Sequence, residues 1–167
     1  MPTAAEKKRM PLIDALEVVR DAREDEIVVT TMGTAREWPK LSDHALDFHY
    51  IPSAMGHAPM IGLGLALAQP DKRVICLNGD GCMLMRLGCL VTIANRAPAN
   101  LTLIVIDNGR YEVTGGQQTA AATADVNFVG IASSAGFATA MRFDSLDTWR
   151  EECAAALEMP GPRFIVL

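Results

Sequence analysis

Two apolar runs that each stop on polar residues constrain this chain most. Val74–Leu77 ends on Asn78, Gly79, Asp80 and Gly81, and Leu101–Ile106 ends on Asp107 and Asn108. A helix-like stretch, residues 83–96, lies between them. Such runs joined by a crossover helix read as parallel strands of one sheet. Both polar ends then emerge at the same carboxyl edge, where open α/β folds hold their ligands. Gly81 and Asn108 are separated by 26 residues, 82 to 107. Asp80 brings a carboxylate and Asn108 an amide carbonyl. Both are hard oxygen donors, suited to an octahedral Mg²⁺ that keeps positions open for a diphosphate.

The remaining pattern alternates in the same way. Pro11 opens a helix with Leu12, Ile13, Leu16 and Val19 on one face, and Ile27–Thr30 is a strand. Met32-Gly33-Thr34 forms a strand-to-helix loop, with residues 35–40 as its helical continuation. Residues 48–51 are a short strand and residues 55–68 a helix, in which Gly62 and Gly64 imply close backbone packing. Residues 109–123 form a long polar loop of the kind that carries function more often than not. Helix 126–134, strand 138–143, helix 146–157 capped by Asp144 or Ser145 and strand 162–167 complete the chain. The expectation is a single domain over residues 1–167. Its class is α/β, a doubly wound, mostly parallel sheet of about six strands with helices on both faces.

Composition narrows the function. The net charge is −5 and no long cluster of Lys or Arg occurs, which argues against nucleic acid or an anionic membrane as a partner. Cys76, Cys82, Cys89 and Cys153 lack Cys-x-x-Cys spacing and nearby His, so they read as buried free thiols rather than a zinc site. Cys82 and Cys89, seven apart, fall on one face of the helix expected there. The N-terminus is polar, and the longest apolar run, residues 61–68, is too short to span a bilayer. A cytoplasmic location is expected. Gly62-Leu63-Gly64 sits within a helix and lacks a third glycine, which disfavours a dinucleotide fold.

Gly79-Asp80-Gly81 followed by Asn108 resembles the diphosphate-and-metal motif of thiamin-diphosphate-dependent enzymes. Three further blocks, Ser53–Ala58, Gly62–Lys72 and Asp107–Thr119, are similar to the cofactor domain of sulfopyruvate and phosphonopyruvate decarboxylases. The likeness runs from about Asp25 to the C-terminus. It implies that Asp80, Asn108 and the main-chain carbonyl of Arg110 ligate Mg²⁺. Asp107 stands where the family commonly has a first Asn, a position that is not a ligand. Gly79, Gly81 and the Cys82 amide would cradle the diphosphate at a helix start. Thr31 and Gly33, with Thr34, resemble a second phosphate-contacting loop, against the alternative of an ordinary turn. Met55, 25 positions before Asp80, matches the apolar wedge that bends the cofactor, against the alternative of plain core. Ser53 would offer its carbonyl to the cofactor, and Tyr111 and Glu112 would line it. Residues 115–117 read as the flexible part that orders over the diphosphate. His57 either meets an anionic substrate tail, acts in proton transfer or caps a helix; His44 and His49 read as structural.

The resemblance further implies a carboxy-lyase subunit that decarboxylates a small anionic 2-oxo acid with thiamin diphosphate and Mg²⁺. No acidic residue ahead of the first strand matches the family's catalytic Glu, so the pyrimidine-binding domain is expected on a partner (alpha) subunit, in a hetero-oligomer or alongside a dimer of this chain. A carboligase, an oxidative decarboxylase and a non-catalytic binding subunit stand as alternatives.

Overall fold

A computed structural model describes residues 9–50, 55–124 and 126–167. In chain order the elements are α1 (Leu12–Ala22), β1 (Ile27–Thr31), α2 (Gly33–Glu37) with a 3-10 turn after it, β2 (Asp47–Tyr50) and α3 (Ala58–Ala68). Then come β3 (Val74–Gly79), α4 (Asp80–Met85), α5 (Cys89–Arg96), β4 (Leu101–Ile106), β5 (Arg110–Tyr111) and β6 (Gln117–Gln118). The chain ends with α6 (Ala120–Ala124), α7 (Phe128–Ala135), β7 (Thr139–Arg142), α8 (Leu146–Glu158) and β8 (Arg163–Val166).

Six strands form one sheet in the order β2-β1-β3-β4-β8-β7, and every pairing in it is parallel. The expected doubly wound α/β class is the one observed. Parallel strands covered on both faces must be apolar on both, and successive residues here alternate between two cores. Val29, Cys76, Leu103, Val105 and Phe164 pack under α3, α5 and α7. Val28, Ile75, Leu77, Ile104 and Ile165 pack under α1 and α8. Buried Trp149 on α8 donates its Nε1–H to the Ala15 carbonyl on α1 at 3.2 Å, tying the second layer together. All four cysteines are buried free thiols. Among the described residues, no helix is long and apolar enough to cross a membrane.

β1 hands on to β2 on one side and β3 to β4 on the other, which opens a crevice at the carboxyl ends of β1 and β3. Thr34 pins that crevice. Its Oγ1 accepts from the Thr31 N–H at 3.1 Å and lies 2.9 Å and 3.0 Å from the carbonyl oxygens of Thr31 and Leu77.

Several expectations are corrected. The helix expected over residues 83–96 is two helices, because α4 ends at Met85 and Arg86 leaves helical geometry (φ −143°, ψ 47°). Cys82 and Cys89 therefore sit on different helices. The expected long loop 109–123 is folded: β5 and β6 pair antiparallel, Gly115 and Gly116 take positive φ at the turn, and α6 follows. Two-residue strands are too short to leave a periodic signal. Helix α3 begins at Ala58 rather than Met55, and Ser145, not Asp144, holds the α8 N-cap position, without a side-chain bond. Gly62 does allow close packing, since a Cβ there would lie 3.4 Å from both Cys76 and Leu101, but Gly64 faces nothing within 4 Å. Ile13 is 49% exposed, off the α1 face that carries Ala15, Leu16, Val18 and Val19 inward. The strand expected over 48–51 is shifted one residue earlier, with Ile51 outside the described residues.

Thr34→Val should keep the side-chain shape and remove the crevice bonds. A loss of about 1–3 kcal/mol in denaturant unfolding is expected; an unchanged midpoint contradicts the pinning role.

Candidate functional site

The crevice widens into a cleft bounded by the ends of β1, β3 and β4 and by the β5–β6 hairpin. Thr31, Gly33, Met55, Gly79, Asp80, Gly81, Cys82, Asn108, Arg110, Tyr111 and Glu112, all singled out from sequence, line it together. Ser53 lies outside the described residues. His57 does not line the cleft. It occupies the N-cap position of α3 without making a side-chain cap bond, so the capping alternative is set aside. Its ring instead meets Arg86 at the rim.

Asp80 is the first residue of α4 and only 1% exposed. Buried Thr119 donates its hydroxyl to Asp80 Oδ2 at 2.6 Å, and the Thr119 N–H reaches the Gly109 carbonyl at 2.9 Å. One residue thus couples the end of β3 to the loop carrying Asn108 and Arg110. Tyr111 lies across Gly81, where a Cβ would come within 2.6 Å of its ring; only glycine fits that contact. Asn108 Oδ1 accepts from the Arg110 N–H at 2.8 Å, an Asx turn that leaves one lone pair of the amide oxygen. Asp107 does not line the cleft; its carboxylate pairs with Arg142 on β7 at 2.9 Å.

Met32, at the β1–α2 turn, holds φ 55° and ψ −120°. A positive φ in a side-chain-bearing residue is strained, and such strain gathers at ligand sites. Thr31, beside it, has a buried Oγ1 with no hydrogen-bond partner among the described residues. Glu112 reaches back across the cleft, its Oε2 3.4 Å from where a Gly33 Cβ would stand. Sequence reading missed Leu12, Val113 and Thr114 in the lining, and Thr119 behind it. Thr119 stands in one of the similar blocks, yet nothing in its spacing marks a partner 39 residues away.

Among the described residues, no three His, Cys, Asp or Glu side chains converge as a metal cluster. A cation held by Asp80, Asn108 and the Arg110 carbonyl would therefore need further oxygens from a ligand. Burial pushes the Asp80 carboxyl above its ordinary range; the Thr119 hydrogen bond opposes the shift and the nearby Asp107 charge adds to it. The folded chain holds that proton more tightly than the unfolded chain does. The ionised carboxylate thus costs stability as pH rises through its raised pKa, and the cost vanishes below about 3.9, the value for an unfolded Asp. Asp80→Asn, whose amide oxygen can still accept from Thr119, should raise the thermal midpoint of the metal-free chain by a few degrees at pH 7–8, with the gain disappearing in acid. A lowered midpoint at neutral pH contradicts this account.

Residues 28–167 match the family of the thiamine pyrophosphate enzyme C-terminal TPP-binding domain. The chain is 38% identical over 167 residues to a phosphonopyruvate decarboxylase of Streptomyces viridochromogenes, covering 99% of this chain and 40% of that protein. It is 41% identical over 153 residues to the sulfopyruvate decarboxylase subunit beta of Methanothermobacter thermautotrophicus, covering 91% of this chain and 78% of that subunit. The solved 2-oxoglutarate:ferredoxin oxidoreductase from Magnetococcus marinus superposes with a TM-score of 0.76 at 20% identity, over 98% of this chain and 64% of that one; at that identity the likeness speaks for the fold. The chain spans well under half the length of the phosphonopyruvate decarboxylases it matches, 40% and 34% in two of them. The match over residues 28–167, together with 41% identity to a subunit that the chain covers by more than two thirds, shows that it belongs to the thiamine pyrophosphate-binding domain family.

Proposed function

We propose that this chain is the cofactor-holding subunit of a thiamin-diphosphate- and Mg²⁺-dependent carboxy-lyase acting on a small anionic 2-oxo acid of the sulfopyruvate or phosphonopyruvate kind. The observation that carries the reading is the buried Asp80 carboxylate on the cleft floor, tied by Thr119 to the loop of Asn108 and Arg110. A carboxylate taken out of water at a cost is retained where a cation will meet it.

The residues fit the cofactor. Asp80, the Asn108 amide oxygen and the Arg110 carbonyl are hard donors, and the oxygens they lack are those a diphosphate brings. Gly79 faces nothing within 4 Å, so the backbone is open to close approach, and the Gly81 and Cys82 amides belong to the first turn of α4. Unpartnered Thr31 Oγ1 and the Gly33 turn offer the opposite wall. Met55, half-buried in the lining, gives the rings an apolar support; Tyr111 and Glu112 close the cleft above them. When bound, thiamin diphosphate supplies the electron sink for loss of CO₂; this chain holds the diphosphate through the metal and shields the reacting centre.

The domain organisation follows. Residues 1–167 act as one cofactor-binding domain, and a partner (alpha) subunit brings the pyrimidine-binding domain and its Glu, giving a hetero-oligomer. The names of the beta subunits from two archaea, of which this chain covers 78% and 82%, support a separate partner. Buried thiols and the lack of a membrane-spanning helix among the described residues fit a cytoplasmic location.

Calorimetric titration of thiamin diphosphate with Mg²⁺ into the chain and partner should show metal-dependent binding. Asp80→Ala should weaken it by more than about a hundredfold, beyond the loss of a supporting hydrogen bond, and Asn108→Ala should also weaken it. Equal affinity in Asp80→Ala, or metal-independent binding, overturns the assignment.

A further inference from the structure

Just outside the cleft, Arg86 and His57 form a pair that the cofactor does not require. Gly56 (φ +80°) lets the Met55–His57 turn close onto α4: a Cβ there would lie 2.8 Å from the Cys82 carbonyl oxygen and 3.0 Å from Arg86 Cγ. Met55 and Cys82 line the cleft, so the stem of Arg86 runs past its wall. Arg86 directly follows α4, four residues beyond Cys82. One guanidinium nitrogen of Arg86 stands 2.8 Å from His57 Nδ1 and 3.3 Å from Nε2. A ring that accepts through Nδ1 carries its N–H on Nε2. Both side chains are exposed.

Arg23, Arg73 and Arg142 each engage carboxylates. Among the described residues Arg86 has no acidic partner, and its guanidinium meets a histidine, which leaves the positive charge uncompensated. A guanidinium beside an imidazole N–H presents several donors to one incoming oxyanion, the arrangement that binds phosphonate, sulfonate or carboxylate oxygens most strongly.

We propose that Arg86 and His57 form an oxyanion-binding subsite at the mouth of the cleft, which takes the acidic tail of the 2-oxo acid while its keto carbon reaches the centre beside Met55. The proposal rests on the decarboxylase reading for the identity of the substrate, but not for the existence of the subsite. Arg86 is thereby a specificity-determining residue, acting on binding rather than on the bond that breaks.

The test uses the two-subunit enzyme loaded with thiamin diphosphate and Mg²⁺, with sulfoacetate, a substrate analogue lacking the keto carbon, as the calorimetric probe. Arg86→Gln should weaken sulfoacetate binding by about tenfold to a hundredfold, the worth of a charge-assisted hydrogen bond, and Arg86→Lys should recover part of it. With sulfopyruvate, Arg86→Gln should raise KM far more than it lowers kcat. Unchanged sulfoacetate affinity in Arg86→Gln, no binding by the wild type, or a fall in kcat at constant KM overturns the subsite. A wild-type enzyme that binds sulfoacetate through Arg86 yet decarboxylates no acid-tailed 2-oxo acid keeps the subsite and overturns the decarboxylase reading.

Discussion

The Thr119–Asp80 hydrogen bond is the interaction on which the site depends. An aspartate 1% exposed at the end of a central strand is costly unless its oxygens are satisfied. Thr119 satisfies one oxygen directly and, through its backbone N–H, fastens the segment carrying Asn108 and Arg110 to the same point. The β5–β6 hairpin, the Tyr111–Gly81 contact and the mouth of the cleft all follow from that anchoring. The raised pKa of Asp80 is the measure of a cost that the metal-free fold carries, in keeping with the general conflict between stability and function at active sites.

The sheet supplies the rigid frame for this anchor. Six parallel strands covered on both faces leave little room for movement at their centre, and the crevice between β1 and β3 is held by Thr34 rather than by loops alone. The groups proposed to hold the cofactor therefore stand on strand ends and helix starts, with only the hairpin side more exposed. The neighbouring Arg86–His57 pair extends the same logic outward, with a cation at the rim of an otherwise acidic protein, where a diffusible anion can reach it.

Much of this was legible in the chain. The two central strands, their shared carboxyl edge and the pair Asp80 and Asn108 could be read from apolar runs and their polar ends; Met55 and Tyr111 came from the resemblance to the thiamin-diphosphate family. Met55, Asp80, Asn108 and Tyr111, distant in sequence, do line one cleft. The errors have a common origin. The break at Arg86–Gly88, the short hairpin and the exposure of Ile13 all concern segments of a few residues, where neither period nor composition outweighs packing. His57 showed the limit at a single residue: its block was recognisable, but whether the ring capped α3 or pointed elsewhere depended on Arg86, 29 residues on.

By itself the sequence determined the fold class and the edge at which ligands gather, because apolar runs and polar punctuation are local properties of the chain. Tertiary structure alone decided which side chains meet: Thr119 with Asp80, Tyr111 over Gly81, Arg86 against His57. Such pairs depend on how separate elements stack and where a hairpin turns, and that geometry is set by the close packing of the whole domain.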